Sequence, residues 1–181
     1  MSRVMNRFAS LLPHVCLLLA VLVPVSVIAI IAIVPAANLA MSLDLSEHAR
    51  AQLQLQLGWE RRFIATLICL LPAGSLAYAL MNARSALRRF NSGEYFSASA
   101  IRGIRGFGAG IFWSGLLTLV AAPPAMYVLT YVSDGTHSSH PLNIRVDMST
   151  LVMLAIGGIL WQIASMMQRA AEIAEENRQF V

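Results

Sequence analysis

Charged residues are spread unevenly along this chain, and the gaps between them set its architecture. Leu11 to Val34, Phe63 to about Leu80, Phe107 to Val132 and Met148 to Met167 contain no Asp, Glu, Lys or Arg. A hydrocarbon core about 30 Å thick takes roughly 20 residues of helix at 1.5 Å each, so every one of these runs is long enough to cross. The pattern predicts an all-α integral membrane protein. It is a four-helix transmembrane bundle forming a single membrane domain over residues 1–181, with short cytoplasmic helical extensions. Pro24, Pro72, Pro123 and Pro124 fall inside the runs; membrane helices tolerate proline as a kink, because neighbours re-satisfy the freed carbonyls. Arg3 and Arg7 ahead of the first run, with Ala37 and Ala40 after it, resemble a cleaved secretory signal. The run is longer than the 7–15 residues of a signal core, so it reads as a retained anchor.

The polar segments give the orientation. Arg3, Arg7, Arg84, Arg88, Arg89, Arg102, Arg105, Arg169 and Arg178 flank the spans on one side, against Arg50, Arg61, Arg62 and Arg145 on the other. Cytoplasmic loops hold the arginine excess, which puts both termini and the hairpin 84–105 in the cytoplasm. Outside, Ser42 to Arg62 repeats Leu45, Ala49, Leu53 and Leu57 every four residues and reads as a helix extending the second span outward, with Trp59 at the headgroup level. Inside, Asn91, Ser92 and Gly93 end one helix and Ser97 or Ser99 caps the next. Arg84 and Arg88 stand one turn apart and would repel unless something acidic is near. The tail 168–181, with Glu172, Glu175 and Glu176, supplies such a counterpart.

Composition sharpens the picture. At 57% hydrophobic and 12% charged, the 181-residue chain is far less charged than a soluble domain. Its net charge of +4 comes from arginine alone, because no lysine occurs, and that charge sits beside apolar runs, so direct nucleic-acid binding is not expected. Cys16 and Cys69 lie within apolar runs as packing residues.

Helices in lipid associate by close approach, so small residues recurring on one face predict contacts. The third span offers Gly106, Gly110, Ser114, Thr118 and Ala122, and the second Ala65, Cys69, Ala73 and Ala77; these strips are expected to pack together. His14 and Gln162 are the strong polar side chains within the runs and read as interhelical hydrogen-bond formers.

Chemistry is sparse. No phosphate loop, nucleophile elbow, zinc-protease helix or dinucleotide fingerprint occurs, and no cofactor is expected. His137 and His140 supply two ligands only, and a metal site would need Asp134, Asp147 or His48 brought in from elsewhere. A lipid-directed enzyme using Glu60, His48, His137 and Asp134 lacks any spacing that would define a geometry. The reading is therefore not an enzyme.

The segment Leu87-Arg88-Arg89-Phe90-Asn91-Ser92-Gly93-Glu94-Tyr95-Phe96 and the ending Glu175-Glu176-Asn177 resemble the bacterial membrane family DUF2975. That resemblance implies four spans, a last helix leaving the membrane in an alanine- and glutamate-rich tail, no known catalytic residues, and association with a small helix-turn-helix regulator. The resulting expectation is a non-enzymatic interaction or regulatory protein in the lipid bilayer. Its partner surface comprises Arg84, Arg88, Arg89, Gly93, Glu94, Phe96, Glu172, Glu175, Glu176 and Asn177, and a homo-oligomer is compatible with it. The alternative is a small permease or transporter subunit flexing at its prolines, a reading weakened by the lack of charge within the spans.

Overall fold

The computed structural model describes residues 2–33, 59–93, 97–130 and 147–179. Four long helices account for nearly all of them: α1 (Ser2–Ile33), α2 (Trp59–Asn91), α3 (Ala98–Thr130) and α4 (Met148–Gln179). Each contains a stretch long and apolar enough to cross a membrane: Leu11–Ile33, Trp59–Asn91, Ala98–Ala125 and Met148–Ile173. The chain is a multi-pass, all-helical membrane protein. At 32 or 33 residues, each helix is about 50 Å long and overruns a 30 Å core. The helices run through Pro13, Pro24, Pro72, Pro123 and Pro124 without a break. The outer helix expected from Ser42 is outside the described residues except for Trp59–Arg62, which open α2; so are the outer loop with His137 and His140 and the hairpin tip Glu94–Phe96.

Local signals set the inner helix ends. Gly93, at φ 85°, takes the left-handed conformation that stops α2, and its N–H donates to the Phe90 carbonyl at 3.0 Å. Ser97 caps α3: its Oγ accepts from the Ala100 N–H at 3.2 Å. Asp147 precedes α4, and its carbonyl accepts from the Thr150 N–H at 3.0 Å.

The helices pack in series. Among the described residues, α1 lies against α2, α2 against α3 and α3 against α4, without a comparable contact between any other pair. Each neighbour is antiparallel. Arg62, opening α2, donates to the carbonyls of Ile31 and Ala32 at the end of α1. Ala86 faces Gly103, whereas Pro72 faces Ser114; Trp161 faces Gly108, whereas Leu154 faces Gly115. Arg62 thereby satisfies two of the carbonyls that a helix C-terminus leaves open.

This core is built from small residues. Of the eleven buried hydrophobic side chains among the described residues, nine are alanine, so the helices meet by backbone approach, as expected in lipid, where burying large apolar groups brings no hydrophobic gain. Leu18, Leu67, Val120 and Ile159 point outward. The small residues follow a seven-residue step. Ala65, Ala79 and Ala86 are buried on α2 with Pro72 half-buried between them; Gly103 and Gly110 are buried on α3, as are Ser114 and Ala121; Gly157 and Ala164 continue the series from Thr150 on α4. Seven residues return nearly to the same side of a helix, the spacing of left-handed pairs. The strip expected every four residues on α3 holds only to Ser114: Thr118 and Ala122 are exposed, and Ala121 and Ala125 take the buried places. Four-residue steps rotate about 40° each at 3.6 residues per turn, so such a strip leaves the interface within three steps.

Candidate functional site

The antiparallel series brings the end of α2, the start of α3 and the end of α4 to one level, and this is where the sequence placed its partner surface. Arg84 and Arg88 stand one turn apart on α2, and Arg89 directly follows Arg88. With Met81 and Ser85 they line an open groove of about 420 Å³. Arg88 and Arg89 are exposed and Arg84 is half-buried. The Arg84 Nε is buried without a hydrogen-bond acceptor, a state that costs roughly 1–3 kcal/mol for a polar group and more for a charged one.

Among the described residues, the helix bearing the acidic tail makes no extensive contact with α2. α3 stands between α4 and α2, and a hydrogen-bonded link runs from the tail to an arginine of α3: Arg105 Nη1 donates to Gln168 Oε1 at 2.8 Å, and Gln168 Nε2 donates to Glu172 Oε1 at 2.9 Å. Glu172 and Glu176 are exposed; Glu175 and Asn177 continue the helical backbone, with side chains outside the described set. The structure thus joins Glu172 to Arg105 through Gln168, and keeps the two helices bearing Arg84 and Glu172 apart. Gly93 is exposed at the turn, and Glu94 and Phe96 lie outside the described residues.

Of the predicted packing residues, Gly106, Gly110 and Ser114 meet α2. Gly106 lies on Asn82: a Cβ placed there would stand 2.6 Å from the Asn82 Oδ1. At Gly110 it would stand 2.7 Å from the Ala79 Cβ. Ser75 Oγ donates to the Gly110 carbonyl at 3.0 Å, and Ser114 Oγ donates to the Pro72 carbonyl at 3.0 Å, tying α2 to α3 through hydroxyls. Ala65 and Ala73 are buried and Cys69 is half-buried. Sequence reasoning missed the opposite face of α3, where Gly108 and Gly115 meet α4 and Gly157 meets the Phe112 backbone. It also missed Asn82, whose Nδ2 donates to its own helix at Tyr78 O, 2.9 Å away. The recurrence of Gly108 and Gly115 seven residues apart was the available signal. Of the two intramembrane polar residues, Gln162 differs from expectation, being exposed and hydrogen-bonded to no described residue; His14 is exposed as well, with an interaction of its own.

Chemically, this end is a cationic surface. No three His, Cys, Asp or Glu residues converge among the described ones; the convergent groups are guanidiniums, which bind anions and do not transfer protons at neutral pH. No family model, curated protein or solved structure matches the chain.

Proposed function

We propose that this protein is a non-enzymatic scaffold of a bacterial inner membrane, with both termini and the α2–α3 hairpin in the cytoplasm, presenting that hairpin and the α4 tail to a cytoplasmic protein. The observation that carries the reading is the placement of the arginines. The antiparallel series gathers the end of α2, the start of α3 and the end of α4 at one level, and with them Arg84, Arg88, Arg89, Arg102, Arg105 and Arg169; Arg61 and Arg62 open α2 at the other end. Arginine excess marks the cytoplasmic side. Helices that overrun the core by about 20 Å project structured surface into water there, and a helix-turn-helix regulator, implied by the DUF2975 resemblance, is a partner of suitable size.

A reporter fused after Val181 is expected to stay cytoplasmic, and affinity capture of the intact protein should recover a partner that is lost when residues from Glu172 onward are removed. An exported reporter, or identical recoveries from the two forms, would overturn the reading. The permease alternative places movement at the prolines. Pro72 is instead seated in the α2–α3 seam, its carbonyl held by Ser114, which favours a fixed scaffold.

A further inference from the structure

We infer that the Arg84–Arg88–Arg89 groove is a binding site for the phosphate headgroup of an anionic membrane lipid, whose acyl chains lie along the adjoining face of α2. Three observations converge. The first is an unmet need: Arg62 and Arg105 direct guanidinium N–H groups to acceptors within the chain, whereas the Arg84 Nε is buried with none. A phosphate oxygen supplies the charged acceptor that a guanidinium takes best.

The second is the order of the helices. Glu172 of the tail is engaged by Gln168 on the far side of α3, and α4 makes no extensive contact with α2. The third is the shape of the surface leading to the groove, which selects a lipid over a free anion or an acidic peptide. Leu71, Gly74, Tyr78 and Met81 form one continuous exposed stripe on α2 at alternating three- and four-residue steps, and the same steps continue to Ser85 and Arg88. A Cβ at Gly74 would meet nothing within 4 Å, so the stripe has an open notch along its length. An apolar track that ends in a cationic groove at the membrane surface matches an amphiphile with tail and headgroup in that order.

The inference shares the membrane placement with the scaffold reading but not its protein partner, so a binding assay without a partner separates the two. The full chain, purified in a neutral detergent, is titrated with phosphatidylglycerol, phosphatidylcholine or inorganic phosphate, and bound lipid is counted by native mass spectrometry alongside the thermal unfolding midpoint. Phosphatidylglycerol is expected to be retained and to raise the midpoint, and phosphatidylcholine is not. At about fivefold per arginine, Arg88→Gln, at an exposed position that leaves folding intact, weakens retention about fivefold; the triple Arg84→Gln, Arg88→Gln, Arg89→Gln variant weakens it about a hundredfold. Arg102→Gln, an exposed arginine of α3, leaves it within about twofold of the parent, since that residue is not among those lining the groove. Equal retention of the two lipids, unchanged retention by Arg88→Gln, or stabilisation by inorganic phosphate as large as that by phosphatidylglycerol would each overturn the assignment.

Discussion

The two faces of α3 are made differently. Toward α2 the glycines meet alanine methyls with backbone close behind: a Cβ at Gly110 would stand 2.7 Å from the Ala79 Cβ and 2.9 Å from its Cα, Gly106 admits the Asn82 amide, and hydroxyls of Ser75 and Ser114 reach carbonyls across the seam. Toward α4 the backbones themselves touch. A Cβ at Gly108 would stand 2.5 Å from the Trp161 nitrogen, and one at Gly157 would stand 2.5 Å from the Phe112 nitrogen. Above this crossing the Phe112 and Trp161 rings pack with centroids 5.9 Å apart. The Asn82 amide gives way by rotating, whereas an alanine methyl, fixed to its Cα, and a helix backbone move only with their helix. The α3–α4 contact is therefore the closer of the two, 2.5 Å to a backbone nitrogen at Gly108 and Gly157 against 2.7 Å to a methyl at Gly110, although both consist of small residues.

Substitutions that enlarge the seams separate these cases. Gly157→Leu should have the largest effect, destabilising the folded protein in detergent by about 3 kcal/mol or more, since α4 must leave α3 to admit it. Gly110→Val, aimed at the Ala79 side chain, should cost about 1–3 kcal/mol. Phe112→Leu keeps apolar volume and loses the ring pair, for about 1 kcal/mol. Gly74→Ala faces open space and should lie within about 0.5 kcal/mol of the parent, on the favourable side, because alanine is the better helix former. Thermal or denaturant unfolding followed by tryptophan fluorescence checks all four. An order in which Gly110→Val exceeds Gly157→Leu would erase the distinction between the faces.

The spans were legible in the sequence because the requirement for them is one-dimensional: an uncharged run either is or is not long enough. The helix stops were legible for a similar reason, since Gly93 and Ser97 act on backbone groups within a few residues of themselves. Contact faces were harder. Counting by four from Gly106 drifts around α3 and ends on exposed Thr118 and Ala122, whereas counting by seven from Gly108 reaches Gly115 and stays on α4. The arginine groove was half legible. The spacing of Arg84 and Arg88 placed them on one face, but which acids lie near them depends on the order of the helices in space. That order puts α3 between the groove and Glu172, and routes Glu172 to Arg105. Gln162 shows the same limit: its polarity suggested an interhelical bond, but its position on α4 places it away from the α3 seam.

Serial packing, with α3 between α2 and α4, underlies both the seams and the separation of the groove from Glu172, and disulfide cross-linking tests it directly. In a background with Cys16 and Cys69 replaced by serine, oxidation should link Ala86→Cys with Gly103→Cys, where the β-carbons come within 3.0 Å, and Gly115→Cys with Leu154→Cys, where the Leu154 side chain meets Gly115. Ala79→Cys with Ala164→Cys, spanning α2 and α4, should stay reduced under the same conditions. Efficient linking of that last pair would mean that α4 packs against α2, contradicting the account.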